Sequence, residues 1–358
     1  MIETEILIVG GGPAGSIAAK KLSQAGVSNI LIQRNFGFRK PCGGGIRLDA
    51  FEKFGIDRSL IQKKAEKLSL VFQDKRVDLD ISQNAIGIVD RVAFDSSLRE
   101  DAKKEGTTLY EATFISLREE GEYIISTIRK DGLLIEVKSS YLIAADGVNS
   151  KIRKLVNGDS VSSFLTHYTD ITTQEYDSCE FHFGVSVAKD QYAWAFPHAH
   201  GSNIGTVADD IDCLSNLKES LHIKEESRVL GYKIPVYKNN IFYKNRVFFV
   251  GDSASQVLPF TYEGIYYAMS SAAILAEVII KKEDPSSYEK RWNEEHQKKF
   301  VTLAKLQKLF LYNDFMIGIM MRLYKKKYIQ EQMVKYWLGD RDVDFNYRLL
   351  WRFIKRLF

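Results

Sequence analysis

The chain has 358 residues, 45% of them hydrophobic and 27% charged, with a formal net charge of +4. At ~150 residues per domain this predicts two domains or one large one, and the ordinary charge content excludes a disordered, collagen-like or coiled-coil chain. The three cysteines, Cys42, Cys179 and Cys213, are far apart and form no C-x-x-C pair, which argues against structural zinc or a disulfide framework and suits a reducing compartment.

Met1-Ile2-Glu3-Thr4-Glu5 is acidic and runs straight into an apolar pattern, unlike a secretory leader. Ile6 to Val9 reads as a buried parallel strand. Gly10-Gly11-Gly12-Pro13-Ala14-Gly15 follows and matches G-x-G-x-x-G. A helix is predicted from Ser16 to Ala25, ended by Gly26, and a second strand from Asn29 to Gln33. In this arrangement Gly10 makes the tight turn, Gly12 lets the backbone approach a pyrophosphate, and Gly15 lets helix pack on strand. The helix N-terminus offers its N–H groups to the phosphates. The plain alternative is a structural glycine turn. An acid ordinarily ends the second strand and holds ribose hydroxyls; here Gln33 stands there, an amide that still accepts and donates, and Arg34 leaves the pocket mildly basic.

Further along come Lys40-Pro41-Cys42-Gly43-Gly44-Gly45, and then Arg91 to Leu98, which begins a helix capped by Asp95 or Ser96. Tyr141 to Ser150, with Arg153 beyond, resembles the second signature of the flavoprotein hydroxylase superfamily. Arg246 to Ala254 resembles its third, in which a strand delivers an Asp to the ribityl chain of FAD; a strand-end cap is the plain reading of Asp252. With Tyr192-Ala193-Trp194-Ala195-Phe196-Pro197, Asn203-Ile204-Gly205 and Pro259 to Met269, the set resembles the geranylgeranyl reductase family, flavoenzymes that saturate isoprenoid double bonds. The resemblance covers about residues 1 to 295. It implies FAD contacts from Ala14, Gln33, Cys42, Gly43, Arg91, Asp252, Gly264 and Ile265. The expected cofactor site adds Gly10, Gly12, Pro13, Gly15, Arg34, Gly44, Ala112, Asp146 and Pro259. The family has Gly where this chain has Tyr262, a departure that bears on the substrate more than on the cofactor.

An isoprenoid alkene is not electron-poor, so hydride delivery to one carbon needs a proton at the other, from a general acid in a dry site. Cys42, Tyr192 and Glu263 are the expected catalytic residues; His198 and His200 are further candidates that read as turn residues. A small buried thiol is the plain alternative for Cys42, and an ordinary surface residue for Arg91. His167 and His182 read as structural. Tyr192, Trp194 and Phe196 alternate, so they share one face of a strand. With Phe181 and Phe183 on a neighbouring strand, and Tyr262, they form either a sheet core or the aromatic wall of an apolar substrate cavity, and both readings can hold. No cluster has metal-ligand spacing, so no metal is expected.

Leu303 to Tyr328 reads as helical, and the chain ends in the basic, aromatic-rich Arg348 to Phe358. Residues 298–358 carry 14 Lys/Arg against 5 Asp/Glu, a net of +9, leaving −5 on the rest. Such an end suits an anionic membrane surface; the alternative is a packed helix with a solvated basic face, and nothing supports nucleic acid. No run reaches ~18 apolar residues, the longest being broken by Glu277 and Asp314.

The expected architecture is α/β. A Rossmann-type FAD-binding domain, 1–155 and 240–285 with 70–90 open to either domain, is interleaved with a mixed β-sheet substrate domain, 156–240, and followed by a helical basic region, 286–358. The expected function is FAD-dependent reduction of double bonds in a prenyl chain on a diphosphate, quinone or lipid. NAD(P)H, a reduced ferredoxin or a quinol would supply the electrons, and the enzyme would be cytoplasmic and peripheral at the inner face of the membrane. The alternative is an aromatic hydroxylase of the same superfamily. A halogenase would need W-x-W-x-I-P, which is missing, and a disulfide reductase would need a second cysteine where Arg47 stands.

Overall fold

In the computed structural model, which describes residues 1–198, 201–238 and 240–338, Ile2–Val9 (β1) alternates in exposure for four residues and then is almost wholly buried. That change marks the point where the strand enters a sheet covered on both faces. The chain continues with α1 (Pro13–Gln24), β2 (Asn29–Gln33), β3 (Gly45–Arg47), α2 (Asp49–Lys53), β4 (Ile61–Ala65), β5 (Lys67–Phe72), β6 (Lys75–Asp80), β7 (Ile86–Val89) and α3 (Arg91–Lys104). Its middle adds β8 (Thr108–Glu111), β9 (Thr113–Glu120), β10 (Tyr123–Lys130), β11 (Leu133–Ala144), α4 (Lys151–Asn157), β12 (Ser163–Ile171), β13 (Cys179–Phe183), α5 (Val185–Ala188), β14 (Ala193–His198), β15 (Gly201–Thr206) and α6 (Asp212–Ser220). The last part holds β16 (Leu230–Pro235), β17 (Tyr243–Lys244), β18 (Val247–Phe249), α7 (Ile265–Ile280), α8 (Ser286–Trp292), α9 (Lys298–Phe310), α10 (Asp314–Tyr324) and α11 (Lys327–Leu338).

The first sheet runs β17-β18-β11-β1-β2-β8, and every pairing from β18 to β8 is parallel. Its central strands put Leu7, Ile8, Leu142 and Ile143 fully out of water. β9 and β10 extend it as an antiparallel pair against the first half of β11. The second sheet runs β16-β12-β15-β14-β13-β5-β6 and is antiparallel except between β13 and β5. β5 and β6, from residues 67–80, therefore belong to the second sheet. A small third sheet joins β3, β7 and β4.

Helix α7 is buried nearly all round, as its almost uninterrupted apolar sequence requires. The C-terminal helices pack on it through Tyr267, Trp292 and Phe300, whose ring centroids lie 4.8 to 6.4 Å apart. Residues 293–297 between α8 and α9 form a π-helical turn. That turn places His296 inside the core, with Nε2 2.9 Å from Ser270 Oγ.

Two sequence expectations change here. Residues 303–328 do not form one helix: the chain breaks after Phe310, and Asn313 caps a new helix by accepting from Met316 N at 3.0 Å. The helix of residues 91–104 is capped by Asp90, which accepts from Ala93 N at 2.9 Å; Asp95 lies inside it and pairs with Arg91. The basic end at 348–358 and His200 lie outside the described residues. His198 closes strand β14, where a turn was expected.

Candidate active site

The glycine loop between β1 and α1 is shaped by close contact. A Cβ on Gly10, whose φ is +110°, would lie 2.2 Å from the carbonyl oxygen of Ala145, and one on Gly15 would lie 1.9 Å from Gly10 O. A Cβ on Gly12 would meet nothing within 4 Å. So Gly10 and Gly15 are compelled by packing, whereas a side chain on Gly12 would enter open space. No side chain caps α1 and no acidic residue sits in its first turn; Pro13 opens it and Ala14 is buried behind. An open N-terminus of this kind fits the diphosphate of a dinucleotide. Gln33 braces the loop: its Oε1 accepts from Gly11 N at 2.9 Å and its Nε2 donates to Asn35 O at 3.1 Å. Arg99, overlooked in the sequence, does the same by donating to Gly11 O at 3.0 Å and Phe36 O at 2.8 Å.

A second helix start faces the same cavity. Gly264 precedes α7, again without a capping side chain or an acid in the first turn, and Gly264 and Ile265 line the cavity with Pro13. Asp252 lies between the two helices: a Cβ on Gly264 would be 3.5 Å from its Oδ1. Two open helix N-termini and an acid suit a cofactor that is anionic at its diphosphate and electron-rich at its ring when reduced. The space and the donor set fit FAD. Lys40 ion-pairs with Asp252. Burial pulls its ammonium down, and the Asp252 carboxylate more than offsets this, leaving it above the ordinary lysine value.

Cys42, Gly43 and Arg91 line the adjoining wall. Cys42 is half-buried and its Sγ accepts from Gly44 N at 3.4 Å. Arg91 is 3% exposed, is held bidentately by Asp95, and interacts with the Cys42 sulfur. Desolvation works against its charge, and Asp95 and Cys42 hold it well above the usual arginine range. Gly43 is required by contact, because a Cβ there would lie 2.6 Å from the Phe196 ring.

The aromatic wall follows from strand register. Phe181 pairs with Trp194, and Trp194 with Gly205, where any Cβ would come within 2.3 Å of the indole. Phe181, Tyr192, Trp194, Phe196 and Tyr262 all line the cavity. Ring centroids are 5.0 Å apart for Phe181 and Tyr192, 5.1 Å for Phe181 and Phe196, and 5.8 Å for Tyr192 and Tyr262. Tyr192 donates to Thr261 O at 2.8 Å, and burial pushes its phenol far above its ordinary value, so it keeps its proton. Glu263 lines the cavity near Arg47. Arg47 is desolvated, bonded to Asp49 and raised by the Glu263 charge. Cys179 also lines the cavity, and burial pushes its thiol up to about 12.

Other expected site residues lie elsewhere. Phe183 points past the cavity to Phe260, 6.4 Å away. Gly44 makes a left-handed turn against Val89. Pro259 is buried under the loop, outside the cavity lining. Asp146 turns its carboxylate to the start of α4, accepting from Ile152 N at 3.1 Å, and burial raises it above the ordinary carboxylate value. Ala112 is buried, its N–H donating to Gln33 O at 2.9 Å; Arg34 is exposed. Sequence reading also overlooked Trp337 and Leu338 of α11, which close part of the cavity. Among the described residues no group of His, Cys, Asp and Glu is arranged to hold a metal.

Comparison with known proteins agrees with this geometry. The sequence pattern of the family described as "FAD binding domain" matches residues 3–209. The chain is 30% identical over 333 residues to the geranylgeranyl diphosphate reductase of Rhodobacter capsulatus, covering 87% of this chain and 85% of that one. It is 27% identical to the digeranylgeranylglycerophospholipid reductase of Methanocaldococcus jannaschii, covering 85% and 86%. Among solved structures, a geranylgeranyl bacteriochlorophyll reductase-like protein from Thermoplasma acidophilum shares the fold, with a TM-score of 0.84 over 99% of this chain and 100% of that one at 20% identity.

Proposed function

The chain belongs to the geranylgeranyl reductase family of FAD-dependent oxidoreductases, and from that premise we propose that it saturates carbon–carbon double bonds of a prenyl chain carried on a diphosphate, a quinone or a lipid. The observation that carries this reading is one cavity with two chemistries. Two open helix N-termini and Asp252 share its lining with Cys42, Gly43 and a wall of aromatic rings. When bound, reduced FAD supplies a hydride. The protein's part is to orient the chain on the rings, exclude water and deliver one proton to the second carbon, so that each double bond gains two hydrogens. Cys42 Sγ–H is the proposed proton donor, and the Arg91 guanidinium stabilises the thiolate left behind. Tyr192 is locked onto Thr261 as a wall. Glu263 balances Arg47. NAD(P)H, a reduced ferredoxin or a quinol restores the two electrons.

Anaerobic incubation of the reduced holoprotein with geranylgeranyl diphosphate, menaquinone or an unsaturated prenyl lipid is expected to add one hydrogen pair per reduced bond, read by mass spectrometry. Oxygen insertion into an aromatic substrate, with no alkene reduced, would overturn the reading in favour of a hydroxylase.

The same reading places the protein at a lipid surface. Residues 298–338 carry nine Lys/Arg and two Asp/Glu. Within them Tyr312 is 75% and Phe315 68% exposed, at the link between α9 and α10. Exposed rings beside a cationic helical surface suit an anionic bilayer. Among the described residues no helix is long and apolar enough to cross a membrane. The holoprotein is expected to sediment with phosphatidylserine-containing vesicles at low salt, and Tyr312→Ser with Phe315→Ser to weaken this about tenfold. Equal sedimentation with neutral vesicles, or none with anionic ones, would reject the docking.

A further inference from the structure

Tyr262 adopts φ 53°, a left-handed conformation in which a bulky side chain is an outlier. Phe260, two residues earlier, has φ 76°. Strain concentrated in one loop persists only where its surroundings hold it, and it gathers at functional sites. Here the hold is visible. The Tyr262 hydroxyl bonds Gln191 Oε1 and accepts from Gln307 Nε2 at 3.0 Å. Gln307 Nε2 also donates to Gln191 Oε1 at 2.7 Å, and Gln307 Oε1 accepts from Phe260 N at 3.0 Å. Gln191 precedes β14 and Gln307 lies on α9. Two separate segments thus clamp one phenol so that its ring stands in the cavity wall, 5.8 Å from Tyr192 and 6.3 Å, edge-on, from Phe164. A glycine at this φ would carry neither the strain nor the ring.

We propose that Tyr262 is a specificity-determining residue that limits the length of apolar chain the cavity accepts, and that Gln191 and Gln307 are positioning residues that keep its ring in place. The proposal rests on the cavity's being the prenyl site. A rigid ring fills space that a longer chain would otherwise enter, and a clasp that prevents rotation prevents the chain from displacing it. The ring excludes volume comparable to one isoprene unit, so its removal extends the accepted chain by roughly that much.

Trp194 and Trp337 line the cavity, so binding can be read by tryptophan fluorescence in the holoprotein without turnover. Dissociation constants for geranyl, farnesyl and geranylgeranyl diphosphate would be compared across variants. Tyr262→Gly and Tyr262→Asn, both compatible with a left-handed backbone, are expected to shift the preference for the longest chain over the next shorter by about tenfold. Tyr262→Phe keeps the ring and is expected to stay within about twofold of the wild-type ratio. Unchanged ratios in folded Tyr262→Gly and Tyr262→Asn would overturn the proposal, as would failure of both to fold. A wild type that binds no prenyl diphosphate, menaquinone or unsaturated prenyl lipid would reject the prenyl reading itself. The same ratios taken with n-alkanols of increasing length would then decide the wall independently.

Discussion

Gly15→Val is expected to leave no folded, flavin-bearing protein, while Gly12→Ala folds and loses flavin. The two glycines lie three residues apart in one loop but are constrained by different neighbours. Any Cβ on Gly15 would lie 1.9 Å from Gly10 O and 3.3 Å from Ala145 Cβ. Neither can move cheaply: Gly10 N donates to Ile32 O at 2.8 Å, and Ala145 N to Val9 O at 2.8 Å, tying both to the central parallel strands. Accommodating valine means lifting α1 off β1, and with it Ile17, Ala18 and Leu22, which are almost wholly buried. The cost falls in the exceptional class of more than ~4 kcal/mol, enough to unfold most of a chain of ordinary stability. Gly12 meets nothing within 4 Å, so alanine there leaves the fold intact and occupies the space meant for the diphosphate. Urea unfolding and flavin released on denaturation separate the two outcomes. A Gly12→Ala protein with full flavin content would show that the diphosphate lies elsewhere.

What could be read from the sequence follows locality. Asn29–Gln33 and the glycine loop are recognisable because strand, turn and helix are contiguous, and each residue type answers to a nearby backbone constraint. The alternation of Tyr192, Trp194 and Phe196 shows which face they share, but not how far the cavity runs. Phe183 obeys the same alternation as Phe181, yet one step further along β13 takes it beyond the cavity to Phe260. Lys40 and Asp252 are 212 residues apart, and only the closing of the parallel sheet makes them partners. The helix break at 311–313 carries no Gly or Pro. It is fixed by Asn313 capping its own helix while Asp314 accepts from Val185 N at 2.9 Å, a contact made across the fold. Gln33 shows the converse. Its position in the chain is that of a ribose ligand, and the structure commits both ends of its amide to the protein.

Cys42→Ala is expected to slow alkene reduction by about 100-fold or more, the usual worth of a placed general acid, with flavin content unchanged. The thiol is half-buried in the cavity wall, its sulfur next to Arg91. Arg91 is itself fixed by Asp95, at 2.9 Å from Oδ2. A guanidinium beside the sulfur attracts the negative charge that would develop there during the transfer. The rival donor Tyr192 is constrained otherwise. Tyr192 donates its hydrogen bond to Thr261 O, and a phenol whose acidity burial has weakened is a poorer acid for an unactivated alkene. Cys42→Ser keeps an O–H of much lower acidity and should recover little. Arg91→Met should leave the rate measurable but change its pH profile, because the guanidinium acts through the sulfur. Single-turnover reoxidation of the reduced flavin by substrate under nitrogen measures the step directly. A Cys42→Ala enzyme within about twofold of wild type would remove the thiol from the chemistry and move the proton to Glu263, for which Glu263→Gln, assayed in the same way, supplies the matching test.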